Sequence, residues 1–240
     1  SLYRALWESG TTVDLVSPHS DLSGYRLVVM PSLYMATTAF AAQVRDYVRS
    51  GGNVVITYMS GIVDNQLHVH PGAYPGAFCD LLGIRVEEFF PLRSGDAVTL
   101  DDGAEADVWT ELLHLDAASA VNTFVDGPLP GTPAITRNEL DDGVAWYLAT
   151  RLEQSKLNAL VKGILRELKI KPPIPMVTAP EGLEAVRRSD QESSFLFLIN
   201  HGSETAHFVA RGHDLVEDRT VNGRLSLQPG GCAVIREESG

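Results

Sequence analysis

"GGNVVITYMSGIVDNQLHVHPGAYPG", residues 51–76, moves from a stop signal through an apolar run into a polar loop. Gly51 and Gly52 close whatever helix precedes them. Residues 54–59 form an apolar run without alternation, which predicts a strand over 53–59 covered on both faces, as in a parallel sheet. Residues 61–76 then gather Asp64, His68, His70 and Tyr74 among glycines and prolines. Upstream, Phe40, Val44, Tyr47 and Val48 recur at helical spacing. Residues 27–33 form a second continuous apolar run, and residues 13–17 a third, shorter one ending at Pro18. Residues 1–9 read as a helix closed by Gly10. Helix, strand, strand, helix, strand with short links predicts a doubly wound α/β layer.

Downstream, residues 74–83 read as a short helix. Between Asp80 and Asp116 there are ten acids and two arginines, Arg85 and Arg93, which reads as a solvated acidic flank. "VWTELLHL", "AVNTF", "PAITRN" and "VAWYLAT" follow as strands, with Asp141, Asp142 and Gly143 as a hairpin turn. Leu157, Leu160, Val161, Ile164, Leu165 and Leu168 mark an amphipathic helix that Pro172 and Pro173 stop. After "KPPIP" the texture changes to short strands and turns, a small antiparallel β domain over residues 173–240.

The chain has 240 residues and a formal charge of −12, which argues against nucleic acid and anionic membranes as partners. No apolar run approaches the roughly 20 residues of a membrane helix. "SLYRALWESG" lacks the order of a signal peptide. Two cysteines far apart, Cys79 and Cys232, fit free, buried thiols in a reducing compartment, hence a cytoplasmic location.

Catalytic signals are sparse. Ser60 follows a strand, but Tyr58 and Ile62 stand where a nucleophile elbow needs glycine. Cys79 in "GAFCDLLG" reads as a structural thiol. His68 and His70 would share one face of a strand and could ligate a metal, with Asp64 or His114 as third ligand. The plainer reading of Asp64, His68, His70 and Tyr74 is a polar loop at a subunit contact. "SGGN" leads into a strand, so it cradles no phosphate. Glu87 with Glu88, Asp101 with Asp102 and Asp141 with Asp142 are sequence neighbours, which point to opposite faces of a strand. No catalytic residue, metal or cofactor is assigned.

"DLSGYRLVVMPSLYM", "YVRSGGNVVITYMSGIVD", "PGAFCDLLGIRVEEFFPL" and "RRSDQESSFLFLINH" together resemble the C-terminal portion of glycoside hydrolase family 42 β-galactosidases. The resemblance implies a flavodoxin-like, class I glutamine-amidotransferase-like trimerisation domain over residues 1–172, lacking its first strand, then a β domain over residues 173–240. It also implies a homotrimer. The catalytic barrel, with its two glutamates, would lie elsewhere in the parent enzyme, which hydrolyses terminal β-galactosides with retention. This portion would serve assembly, meeting galactoside only through the parent. The alternative is an independent amidotransferase-like enzyme with chemistry in the 60–76 loop. A carbohydrate-binding role for the β domain is disfavoured, because Phe195 and Phe197 read as core.

Overall fold

The computed structural model describes residues 1–173, 182–190 and 192–237. They divide into two compact units, residues 16–156 and residues 1–15 with 157–240. The chain opens with helix α1 (Leu2–Glu8), which belongs to the second of these.

The unit of residues 16–156 is built on β1 (Val28–Met30), α2 (Thr38–Arg49) and β2 (Asn53–Thr57). Thr37 caps α2 by accepting the Phe40 N–H, satisfying one of the helix's free donors. Gly51, at φ +93°, ends the turn beyond α2. After β2 come a 3-10 turn (Gly76–Phe78) and the four-residue α3 (Cys79–Leu82). Strands then dominate: β3 (Ile84–Pro91), β4 (Ala97–Thr99), β5 (Glu105–Asp107), β6 (Trp109–Leu115), β7 (Ser119–Thr123), β8 (Pro133–Leu140), β9 (Gly143–Leu148) and β10 (Arg151–Leu152).

The main sheet runs β1-β2-β9-β8-β7. β1, β2 and β9 are parallel, in the register Val28↔Val54 and Val54↔Ala145. β8 and β7 run antiparallel beside them. Val44 and Val48 of α2, Val54 and Ile56 of β2, Phe78, Leu81 and Tyr147 form its buried core. Two smaller sheets, β3-β6 and β10-β5-β4, complete the unit.

This corrects the expected flavodoxin-like, doubly wound layer. Among the described residues strand accounts for 41% and helix for 18%, in mixed and antiparallel sheets. Parallel neighbours need a long crossover, usually a helix, whereas antiparallel neighbours need only a hairpin. Leu140 pairs Gly143 across Asp141 and Asp142, with Asp141 at φ +51°. That two-residue turn folds β8 back along β9 and ends the parallel pattern. The supposed acidic flank contributes β3, whose Ile84 and Val86 point inward while Arg85 and Glu87 face solvent. Residues 13–17 form no strand: Leu15 is 88% exposed and Asp14 pairs with Arg188. An apolar run becomes a strand only beside a partner ladder, and the described residues supply none there.

The other unit holds α1, most of α4 (Gln154–Glu167) and a five-stranded antiparallel sheet. Its strands are β11 (Leu183–Ser189), β12 (Ser194–Asn200), β13 (Ala206–Asp214), β14 (Arg219–Leu227) and β15 (Cys232–Glu237), in the order β11-β12-β15-β13-β14. Alternation is clean in β13, and Leu196, Leu198, Phe208, Val221, Leu225 and Ile235 form the core. Arg187 holds Glu237 through two bonds of 2.8 Å. Two expectations change here. Phe197 lies 40% exposed on the opposite face, because Leu196 and Leu198 take the inward positions. Cys232, the first residue of β15, is exposed, while Cys79 is half-buried, and both are free thiols. Residues 174–181, where the texture change after "KPPIP" falls, lie outside the described residues.

Candidate functional site

The carboxyl ends of β1 and β2 carry two loops, residues 31–36 and 58–76, that interlock through their backbones. The Leu33 N–H donates to Ser60 Oγ at 3.0 Å, and the Ser32 N–H to Thr57 Oγ1 at 2.8 Å. Ile62 donates to the Tyr34 carbonyl and Ala36 to the Val63 carbonyl, each at 2.9 Å. Single bridges pair Met35 with Val63 and Val63 with Val69, so three segments lie side by side at the tip. At the neck, Gly61 and Gly76 have φ of +63° and +56°. A Cβ on Gly76 would stand 2.3 Å from the Gly61 carbonyl oxygen, and one on Gly61 would stand 2.4 Å from that of Pro75. Glycine is the residue that both the dihedrals and the close approach admit.

The four residues singled out from the sequence have distinct positions. Asp64 caps its own turn, accepting the N–H groups of Gln66 at 2.8 Å and His68 at 3.0 Å. The His68 N–H is the leading reason its carboxyl titrates below the usual range. His68 is mostly exposed, with its ring Nδ1 3.4 Å from the Asp64 carboxylate. His70 turns the other way, placing Nε2 2.8 Å from the Ala36 carbonyl oxygen. Tyr74 pairs through its backbone with Val86 of β3 and packs its ring on Phe89, centroids 4.6 Å apart. The loop thus brings Asp64 and His68 together and sends His70 and Tyr74 elsewhere. His114 binds Glu87 at 2.6 Å. Among the described residues no cluster of three or more His, Cys, Asp or Glu could hold a metal ion.

Nucleophilic chemistry finds little support here. Ser60 is fully buried and its oxygen is engaged by Leu33. Burial, then the nearby Asp80 and Asp116, push the Cys79 thiol up to about 11, so it stays protonated at neutral pH. An open cleft of ≈ 540 Å³ beside the loop is lined by Ala73, Tyr74, Arg85, Val86, Glu87 and His114. Its polar side chains already have partners, Arg85 in Asp116 and His114 in Glu87.

One group was missed in the sequence. Glu111, on β6, is fully buried. Its carboxylate accepts from Tyr147 Oη at 2.7 Å, from Trp109 Nε1 at 2.8 Å and from the backbone N–H of Met59. Burial raises its pKa to about 7 against the pull of those three bonds. Met59 sits at φ +60° where the chain leaves β2, so Glu111 ties the root of the 58–76 loop to β6 and β9. The signal was period two: Trp109, Glu111 and Leu113 share one face of β6.

Residues 1–171 match the family model of the β-galactosidase trimerisation domain, and residues 182–237 match that of the β-galactosidase C-terminal domain. The chain belongs to the β-galactosidases of glycoside hydrolase family 42, as their trimerisation and C-terminal domains. It is 40% identical to a β-galactosidase of Arthrobacter sp. over 239 residues, 99% of this chain and 34% of that protein. It is 35% identical to β-galactosidase LacZ of Heyndrickxia coagulans, covering 98% of this chain and 36% of the relative. The crystal structure of β-galactosidase from Bacillus circulans sp. alkalophilus superposes with a TM-score of 0.90 at 28% identity, over 99% of this chain and 36% of the other. The chain therefore spans about a third of the length of these relatives.

Proposed function

We propose that this chain is the assembly and accessory portion of a cytoplasmic homotrimeric β-galactosidase that hydrolyses terminal β-D-galactosides with retention. The observation that carries the reading is the match of residues 1–171 to a trimerisation domain. The division into residues 1–172 for assembly and 173–240 as accessory β domain belongs to the same proposal. Retention calls for two carboxyl groups about 5–5.5 Å apart, one acting as nucleophile and one as acid and then base. We assign neither to this chain. Its own contribution is the interlocked 31–36 and 58–76 loops, with Asp64, His68, His70 and Tyr74 shaping a subunit contact.

The test is turnover of a chromogenic β-galactoside. The complete enzyme hydrolyses it, and the purified 240-residue chain does not. Turnover that follows the isolated chain through purification would overturn the reading.

A further inference from the structure

The same two loops carry four exposed apolar side chains. Tyr34 is 44% exposed, Met35 45%, Leu67 66% and Val69 56%. Met35 and Val69 lie on either side of Val63 through the two single bridges. Tyr34 accepts the Ile62 N–H, and Leu67 closes the Asp64 turn by donating its N–H to the Asp64 carbonyl. Leu67 does so at φ +66°, a conformation that disfavours a large L side chain. Glycine would meet the needs of that turn with less strain, yet the position exposes a leucine to water.

Charge is depleted around this tip. Residues 31–44 contain no Asp, Glu, Lys or Arg, and residues 57–79 contain only Asp64. The chain as a whole is 21% charged and carries −12. Between two copies of this portion like charge opposes approach, so contact is least opposed where charge is missing. The centre of a protein interface is likewise poor in charged residues and enriched in Tyr and Met.

We propose that Tyr34, Met35, Leu67 and Val69 form the dry centre of the contact with a second copy of this protein. This deepens, and rests on, the assembly reading above. Asp64, His68 and His70 then set the shape of the tip, and the four apolar side chains supply the burial. In a cyclic trimer the contact is head-to-tail, so the tip seats on a different surface of its neighbour. A stable contact buries on the order of 1,200 Å² or more, so the tip is the core of a larger patch.

Sedimentation velocity across a dilution series of the complete protein tests this, with wild type beside Leu67→Asp/Val69→Asp and Leu67→Gly. The double variant is expected to dissociate at concentrations at least 100-fold higher than wild type. Leu67→Gly removes the side chain while suiting the backbone. It is expected to weaken association at least tenfold without lowering the thermal midpoint of the dissociated protein. Should the double variant fail to fold, Leu67→Gly decides alone. Wild-type association in Leu67→Gly would overturn the patch and leave the assembly reading standing. A wild type that stays monomeric at every concentration would overturn both.

Discussion

The backbone of Gly76 lies against the carbonyl oxygen of Gly61, so close that a Cβ on Gly76 would stand 2.3 Å from it. Fifteen residues apart in sequence, these two glycines close the neck of the loop that carries Asp64, His68, His70 and Tyr74. Gly76→Ala adds a steric clash to a left-handed dihedral, and an expected cost on the order of 3 kcal/mol follows. Gly163 is the control, because it is exposed on α4 with nothing within 4 Å of an added Cβ. Gly163→Ala is expected to stabilise by about 0.5–1 kcal/mol. Thermal or urea unfolding of the two variants side by side checks both signs. Equal midpoints would show that the neck is not under this constraint.

Glu111 makes stability depend on pH in a definite direction. Its folded pKa is raised to about 7 from the ordinary 4.5, by burial first. The folded state therefore keeps a proton that the unfolded state has lost. This contribution is fully present below pH 4.5 and is lost as pH rises through 7, by on the order of 3 kcal/mol. Glu8, Asp21, Asp64, Asp101, Asp107, Asp116, Asp190 and Glu237 are shifted down, so their contributions are lost at more acidic pH. Glu111→Gln keeps an acceptor for Trp109 and Met59 without charge. Between pH 5 and 7.5 the unfolding midpoint of wild type is expected to fall relative to that of the variant. Parallel profiles would contradict the account.

The parallel core was legible before the structure was. Residues 27–33 and 53–59 announced β1 and β2 by unbroken apolarity, and Gly51 with Gly52 announced the end of α2. That parallel pattern ends at β9. Asp141 and Asp142 already read as a hairpin, and a hairpin turns its strands antiparallel. β3 was hidden because its outward positions are charged, so composition masked the inward Ile84 and Val86. Residues 13–17 failed for the opposite reason: local apolarity says nothing about a neighbouring strand. In the loop, composition flagged Asp64, His68, His70 and Tyr74 but could not assign them. Their partners, from Ala36 to Val86 and Phe89, come from other segments and exist only once the chain has folded.

His68→Ala with His70→Ala separates a contact loop from a metal site. His70 bonds the Ala36 carbonyl, so its loss is expected to cost about 1 kcal/mol, while exposed His68 costs little. In the complete protein the double variant is expected to shift a trimer toward monomer with no change in metal content. Loss of a stoichiometric metal from an intact trimer would mean that the histidines are ligands instead.

The claim that this portion exists for assembly meets its most direct test in the solution mass of the complete protein, by equilibrium sedimentation at micromolar concentration. The account predicts the mass of three protomers. A fully active protein that sediments with the mass of one protomer would contradict it.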